Sequence, residues 1–430
     1  MNANSQFTPS FPGPDDIHYL KTANGITILG RENRNSPSVV MSGYIPAGSL
    51  FDPDPQLGLA DFTAMMLTRG TVSRDFQSLH DALESAGANL GFSASAHTTS
   101  FNGRCLSEDL PLLLDILADC LRNPTFPSVQ AERLRAQLLT ALSIRAQDTT
   151  EMASLTFDQL LFDGHPYSRP EDGYIETIHS ITVQHMKEFH QRHYGPAGMV
   201  ISLVGEINPD RAADLVKEKL GEWQNPNAPE TVVLPPFKPL TRNKSRHVHI
   251  RDKSQSDIVI GSAGPRRLDP EFMPTTLGNS ILGQFGMMGR IGEAVREKSG
   301  LAYYAYSSIN VGIGPGSWEV SAGVNPVNIR KAINLIKKEL VDFYDKGVSQ
   351  VELEDSQANF IGRLPLSLES NAGVAAALLN IERYGLGLDY YLRYSELVRS
   401  VTRDQVLAAF RKFINPDKLA VAIAGVKNNR

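Results

Sequence analysis

The sequence predicts an α+β protein of two homologous domains, each with a mixed or antiparallel β-sheet and helices packed on one sheet face. Three observations support this prediction. The chain has 430 residues, which is too long for one ordinary hydrophobic core. A segment recurs at an offset of 220 residues. Strand-like and helix-like segments also alternate without the strict order of β–α–β units.

The recurring segment spans Thr182–Gly205, TVQHMKEFHQRHYGPAGMVISLVG, and Thr402–Gly425, TRDQVLAAFRKFINPDKLAVAIAG. Residues that start, turn and stop elements coincide between the copies, namely Thr182 with Thr402, Pro196 with Pro416 and Gly205 with Gly425. Each copy predicts a Thr N-cap, an amphipathic helix, a turn containing Pro, and an apolar strand that ends in Gly. Matching stop and start residues at one spacing favour a duplicated domain over chance similarity.

The elements before and after these copies fit two such domains. In the first half, the sequence predicts strands at Ile26–Leu29 and Val39–Ile45 and helices at Ser107–Leu121 and Ser128–Gln147. In the second half, the predicted elements are strands at Val248–Ile250 and Ile258–Gly261 and a helix at Asn328–Tyr344. The segment Asn225–Arg246 has five prolines and no apolar periodicity, which is typical of a linker. We therefore predict domains at 1–224 and 247–430, joined by a linker at 225–246.

Composition excludes several classes of protein. The net charge of −5 argues against a nucleic-acid binder, which needs a basic face. No run of about 18 apolar residues predicts a membrane span, and the N-terminal residues lack the pattern of a secretory signal. The two cysteines, Cys105 and Cys120, are too few for a disulfide framework and are expected to be buried and reduced. These features predict a cytoplasmic protein.

The segment Gly58–Thr71, GLADFTAMMLTRGT, is followed much later by Asn279–Ser308, which contains REKSGLAYY. Together they resemble the pitrilysin/insulinase peptidases, in their shorter bacterial, processing-peptidase-like branch. That family carries the zinc motif H-x-x-E-H inside a stretch like GLAHFLEHMLFKGT, with a further Glu ligand on a later helix. The resemblance covers about residues 18–426 and implies the two-domain fold, with the chain forming half of a clamshell dimer.

The positions that hold the metal in the family carry other residues here. Asp61 stands at the first His, Ala64 at the Glu base and Met65 at the second His, and Ala141 lies at or beside the distal Glu. Alanine has no ligand atom, and a thioether is a poor ligand for zinc. We therefore expect no metal in this chain, and no other His pattern predicts one. His185, His190 and His193 lie on one helix at spacings that do not stack all three, and His247 and His249 have no evident third ligand.

The second half keeps the family's other functional pair. In relatives, an Arg and a Tyr seven residues later contact the peptide carbonyl and steady the developing oxyanion, and they match Arg296 and Tyr303. Tyr304 is the alternative if the register differs by one residue. Taken alone, an Arg on a helix and a Tyr in YYAY are typical of a solvated charge and a packed ring.

Four glycines, Gly283, Gly286, Gly289 and Gly292, lie three residues apart just before this pair. The segment lacks the Lys-Ser/Thr ending of a P-loop and the context of a dinucleotide site. Two interpretations remain: close backbone packing, or a flexible loop that guides peptide, as in non-catalytic subunits of processing peptidases. The resemblance favours substrate binding at Gly283, Gly286 and Gly289.

The resemblance implies a non-catalytic subunit of a heterodimeric zinc metalloendopeptidase, inactive alone. Arg296 and Tyr303 would act in trans, while an H-x-x-E-H partner would supply the zinc and the base. Extended or unfolded short peptides would bind by adding a strand to a sheet edge. Two alternatives stay open: a homodimeric peptide-binding or structural protein without protease activity, and an enzyme of another class that uses the Gly-rich segment, for instance with a nucleotide.

Overall fold

The computed structural model describes residues 11–227 and 233–427. The chain forms two compact units, and neither is one continuous run of sequence. The first unit takes in the described residues of three segments, Met1–Thr140, Pro170–Val233 and Arg363–Arg393. The second unit takes in those of Ala141–Arg169, Leu234–Gly362 and Tyr394–Arg430. Each unit is built on one β-sheet with helices around it.

The sheet of the first unit has six strands: β1 His18–Lys21, β2 Thr27–Glu32, β3 Ser38–Ile45, β4 Asn89–Ala94, β5 Thr99–Leu106 and β6 Val200–Gly205. Their spatial order is β1-β2-β6-β3-β5-β4. The pair β2–β6 is parallel and the other pairs are antiparallel, so the sheet is mixed. The strand β4 lies at one edge.

The sheet of the second unit has five strands: β7 Lys244–His249, β8 Ser256–Gly264, β9 Ala302–Asn310, β10 Gly316–Val324 and β11 Ala420–Gly425. Their order is β7-β11-β8-β10-β9, with β7–β11 parallel and the others antiparallel. This order and these directions repeat those of β2-β6-β3-β5-β4. The mixed α+β fold of two homologous domains is therefore confirmed.

The helices are α1 Leu59–Met66, α2 Phe76–Ser85, α3 Leu110–Arg122, α4 Ser128–Arg145, α5 Thr149–Leu161, α6 Ile175–Ser180, α7 Val183–His193, α8 Pro209–Leu220, α9 Phe272–Gly283, α10 Phe285–Gly292, α11 Ile329–Lys346, α12 Gln350–Ser367, α13 Asn371–Arg383, α14 Tyr390–Arg399 and α15 Arg403–Phe413. A π-helical turn follows α10 at Glu293–Lys298. The helix predicted from Ser107 begins as a 3-10 turn, and its α-helical part starts at Leu110. Pro111 lies in the first helical turn, where its missing N–H costs no hydrogen bond.

The duplicated segments fold alike. Thr182 and Thr402 each cap a helix, α7 and α15, with the Thr side chain accepting the N–H of the residue three positions on. The strands β6 and β11 that follow both end in a glycine with positive φ, 149° at Gly205 and 134° at Gly425. A β-carbon on Gly205 would lie 2.1 Å from the Ser38 carbonyl oxygen. These glycines permit the close approach of a neighbouring strand at the point where each apolar strand ends.

The sequence predicted helices on one face of each sheet. In the structure, helices cover both faces of each sheet. In the first unit, α13 packs its apolar side on Leu29, Val200 and Val204. In the second unit, α5 packs against the apolar residues of β8 and β11. All six residues of β6 are buried, as expected for a central strand covered on both sides. Thus α13, from late in the sequence, completes the first sheet, and α5, from early in the sequence, completes the second.

Part of the predicted linker is ordered against the second unit. Phe237 lies edge-on to Phe162, with 5.6 Å between ring centroids. The strand β7 begins at Lys244, inside the predicted linker range. Residues 228–232 lie outside the described part of the chain. The domain boundaries at 224 and 247 remain a prediction.

Candidate functional site

The helix α1 carries three of the four positions where relatives would place metal ligands and base. The helix begins after Gly58, whose φ is 93° and where a β-carbon would lie 2.8 Å from the Ile178 side chain. The Asp52 carboxylate accepts the N–H groups of Gly58 and Ala60, both at 2.9 Å. A carboxylate at this helix N-terminus stabilises its unpaired N–H groups and its dipole. The N-terminus of α1, the helix that carries these positions, is therefore held by two hydrogen bonds to Asp52.

The side chains on that scaffold offer no ligand set. Ala64 is fully buried and Met65 is half-buried. The Asp61 carboxylate accepts the N–H of Ala94 at 3.1 Å, and burial raises its pKa above the ordinary value. Ala141 lies exposed on α4. Across residues 11–227 and 233–427, no group of three or more His, Cys, Asp or Glu side chains could hold a metal ion.

The histidines singled out in the sequence each have local contacts. His185 belongs to the capping box of α7, and His190 is 2.8 Å from the Leu121 carbonyl oxygen through Nε2. His193 stacks on Phe51 at 4.2 Å, and burial lowers its pKa to about 4. In the second unit, His247 Nε2 is 3.2 Å from the Gly425 carbonyl oxygen, and His249 accepts the N–H of Lys427. These contacts are typical of structural histidines.

Both cysteines are free and buried. Burial raises the pKa of each thiol to about 12. A thiol with so high a pKa is rarely a thiolate, so neither cysteine suits nucleophilic or metal-binding chemistry.

Arg296 and Tyr303 lie on successive elements of the second unit. Arg296 is in the π-helical turn, and its Nε is 3.4 Å from a carboxylate oxygen of Glu297. Gly300 reverses the chain with φ of 59°, and its N–H bonds the Arg296 carbonyl at 2.9 Å. Tyr303 then lies near the start of the edge strand β9 with 82% of its surface exposed. The register of β9 with β10 shifts at this residue, because Gly323 pairs with Tyr304 and Val324 with Ala302, so the phenol of Tyr303 is displayed to solvent from a bulge in the strand.

The neighbouring Tyr304 has a different environment. Its hydroxyl donates to Asp257, a residue only 1% exposed, and the same carboxylate accepts from Thr149 at the start of α5. Burial, followed by the hydrogen bond to Asp257, raises the pKa of Tyr304. Tyr304 thus ties the sheet to α5. Of the two tyrosines, Tyr303 is the exposed one, and its role at a substrate remains a prediction.

The Gly-rich segment forms the end of α9 and the whole of α10, although Gly286 and Gly289 have φ of 63° and 65°, outside the right-handed helical region. A β-carbon on Gly283 would lie 2.2 Å from the Ser307 backbone nitrogen of β9, and one on Gly289 would lie 2.6 Å from the Gly283 nitrogen. These two glycines allow close backbone packing. Gly286 is exposed, with φ of 63° and open space at its β-carbon position. A role for Gly283, Gly286 and Gly289 in substrate binding remains a prediction.

One feature beside this segment was not evident in the sequence. A cavity of about 380 Å³ adjoins Gly289 and is lined by Arg290 and four carboxylates, Glu293, Glu297, Glu352 and Asp355. The Arg290 guanidinium donates two hydrogen bonds to the Glu352 carboxylate, of 2.8 and 2.7 Å. Partial burial raises the pKa of Glu352, but hydrogen bonds from Arg290 and Ser349 outweigh it and lower the pKa to about 2. The pairing joins residues 62 positions apart, so local sequence patterns give no sign of it.

Comparison with known proteins finds the same peptidase family in both halves of the chain. The sequence profile of the insulinase family, peptidase family M16, matches residues 27–164, and that of the M16 peptidase inactive domain matches residues 180–360. A Mycobacterium leprae protein named an uncharacterized zinc protease is 26% identical over 383 residues, covering 86% of this chain and 83% of the relative. A Bacillus subtilis protein, also named an uncharacterized zinc protease, is 23% identical over 349 residues, covering 81% of this chain and 83% of the relative.

Two solved structures share the fold. A crystal structure described as a peptidase M16 inactive domain from Pseudomonas fluorescens superposes with a TM-score of 0.89 and 27% identity, covering 96% of this chain and 98% of the other. A Helicobacter pylori protease gives a TM-score of 0.85 at 16% identity, covering 96% and 100%. No helix in the described part of the chain is both long and apolar enough to cross a membrane.

Proposed function

Because the chain belongs to the insulinase peptidase family, M16, we propose that it is the non-catalytic subunit of a heterodimeric zinc metalloendopeptidase. A partner with an intact H-x-x-E-H motif supplies the zinc and the general base. This chain supplies Arg296 and Tyr303 in trans to the carbonyl of a bound peptide. The observation that carries the proposal is the contrast between the two units. Asp61, Ala64 and Met65 offer no metal site, whereas Tyr303 is 82% exposed on an edge strand.

The chemistry assigned to Arg296 and Tyr303 is electrostatic. A guanidinium and a phenolic hydroxyl both donate hydrogen bonds to an oxygen on which negative charge develops during peptide hydrolysis. Neither group needs to lose a proton to do so. They contribute only when an attacking water is activated nearby, which on this proposal happens at the zinc of the partner. The substrates are extended or unfolded short peptides, held by main-chain hydrogen bonds at a sheet edge.

The test is to purify the chain alone, purify an H-x-x-E-H homologue from the same genome, and mix them. We expect peptide cleavage by the mixture that neither chain gives alone, and less than stoichiometric zinc in this chain by elemental analysis. Arg296→Ala and Tyr303→Phe should each lower turnover by on the order of 10²-fold, the usual effect of losing an oxyanion donor.

Matched controls lie close to both residues. Lys298→Ala removes a neighbouring exposed cation of the same turn, and Tyr306→Phe removes a hydroxyl from the same strand. Both control variants should retain turnover within about twofold of the wild type, since we assign them no contact with substrate. If Arg296→Ala and Tyr303→Phe also retain full turnover, their role in trans is wrong. One zinc per purified chain would contradict the loss of the metal site.

The first alternative is a homodimeric peptide-binding protein without protease activity. It predicts peptide binding that no partner converts into cleavage. The second is an enzyme that uses the Gly-rich segment with a nucleotide. The helical course of α9 and α10 does not favour it, because phosphate loops present consecutive backbone N–H groups from a loop before a helix. Titration with ATP and NAD tests it directly.

A further inference from the structure

The edge strand β4 has an open side that faces away from the sheet. It pairs with β5 on its other side, and in the hairpin that follows, the N–H of Ser95 bonds the Thr98 carbonyl at 2.8 Å. Because successive residues of a strand direct their N–H groups to opposite sides, the N–H of Ala94 points to the open side. A strand added to this edge would have to pair with that group.

Two carboxylates already occupy the end of this open side. Asp61 accepts the N–H of Ala94 at 3.1 Å, and Glu171 accepts the N–H of Ala96 at 2.7 Å. The carbonyl groups of Ser95 and Ala96 accept the N–H groups of Ser49 and Leu50, at 2.9 and 3.0 Å. Both donors and acceptors at this end of β4 are therefore engaged within the first unit.

The two carboxylates compete well with a peptide. A charged acceptor makes a stronger bond to a backbone N–H than the neutral carbonyl of an added strand does. Asp61 is also held in place by α1, so it loses little conformational freedom in making the bond. Charged side chains directed at a sheet edge are a common means of preventing unwanted strand pairing.

We propose that Asp61 and Glu171 form an edge cap, which excludes an extended peptide from the C-terminal end of β4. Asp61 stands where relatives carry a zinc-binding His. The cap thus closes the edge beside the positions that hold the metal in relatives. The proposal rests on the proposed function, because the ligand that the cap excludes is the extended peptide that we propose as the substrate.

The first experiment needs no peptide. Residue-resolved amide hydrogen exchange is measured on the full chain for the wild type and for the double variant Asp61→Ala, Glu171→Ala. We expect the amides of Ala94 and Ala96 to exchange at least about 10-fold faster in the variant, while Ser95, bonded within the hairpin, keeps its protection. Asp61→Asn retains an acceptor oxygen and should preserve most of the protection at Ala94. Equal exchange of Ala94 and Ala96 in the wild type and the double variant would overturn the cap.

The second experiment measures binding of a fluorescent ten-residue peptide of Ser, Thr and Val with blocked ends. The double variant should bind about 10-fold more tightly than the wild type, as expected when two backbone donors become available. A variant with Asp81→Ala and Glu84→Ala removes the same charge from the exposed side of α2 and should leave affinity unchanged. Adding Ala94→Pro to the double variant removes the outward N–H and should reverse much of the gain.

The outcomes separate the cap from the proposed function. Equal, measurable affinity in the wild type and the double variant would reject the cap and leave peptide binding intact. Absence of binding in both, together with the expected exchange result, would contradict peptide binding while supporting the cap.

Discussion

Single residues with unusual backbone conformations fix where the duplicated strands end. Gly205 and Gly425 occupy the same place in the two copies and both have φ near 140°, a region that favours glycine. At each site a β-carbon would meet the neighbouring strand, at 2.1 Å from the Ser38 oxygen and 2.3 Å from the Ser256 Oγ. Conformation and space therefore both demand glycine there.

Gly205→Ala should destabilise the protein by several kcal/mol, because the added methyl group meets backbone as well as an unfavourable φ. Gly87→Ala is the matched control, since Gly87 has φ of 57° but no atom within 4 Å of its β-carbon position. That variant should lose only about 1 kcal/mol, from conformation alone. Melting temperatures of the two variants, measured in one buffer, test the difference. Equal losses would show that the close approach to Ser38 has no energetic consequence.

At the scale of elements, the helix that covers the second face of a sheet comes from a distant part of the chain. Val374, Ala375, Leu378 and Ile381 of α13 pack on the buried face of β2 and β6. The N-terminus of α13 is anchored as well, because Asn371 donates to the Ser38 carbonyl at 3.1 Å. The same role is played in the second unit by α5, tied to Asp257 through Thr149.

Leu378→Ala should therefore cost about 2 to 5 kcal/mol, the usual range for truncating a fully buried leucine. Leu366→Ala is the control, because this leucine is 70% exposed. It should change stability by less than about 0.5 kcal/mol. Chemical denaturation followed by circular dichroism compares the two. A cost for Leu378→Ala no larger than the control would mean that α13 contributes little to the first sheet.

At the scale of the whole molecule, each unit depends on residues from the other half of the sequence. The first sheet needs α13, and the second needs α5. A cut between residues 224 and 225 would leave each half without the helix that completes its sheet.

We therefore expect fragments 1–224 and 225–430 to fail to fold cooperatively when expressed separately. Each would expose a large apolar sheet face, which favours aggregation. Expressed together, they should associate into a soluble complex with the circular dichroism spectrum of the intact chain. Gel filtration and thermal melting test this, with the intact chain as reference. A monomeric, cooperatively melting 1–224 fragment would contradict the expectation.

The sequence predicted what depends on local residues. The caps at Thr182 and Thr402 and the terminal glycines of β6 and β11 act within a few residues of their position, so they identified the duplication. The choice of Tyr303 over Tyr304 rested on the family resemblance, in which the Tyr follows the Arg by seven residues. The partner of Tyr304 is Asp257, which lies 47 positions away, and no local pattern indicates that pair.

The placement of α13 and α5 could not be predicted for a related reason. An amphipathic helix such as Asn371–Arg383 shows in its sequence that one face is buried, but not against which sheet. The same limit applies to the edge cap, because Glu171 and Ala96 are 75 positions apart. The π-helical turn at Glu293–Lys298 was missed because EAVREK has an ordinary helical composition.

The late arrival of α13 has a consequence for synthesis of the protein. The strand β6 leaves the ribosome with its outer face bare, and the 178 residues from Glu206 to Arg383 must follow before α13 can cover it. At a rate of about 5 to 20 residues per second, that interval lasts roughly 10 to 35 s. During it, the nascent chain leaves Leu29, Val200 and Val204 uncovered by α13. A protein built in this way should depend on nascent-chain chaperones more than one whose sheets are completed in sequence order.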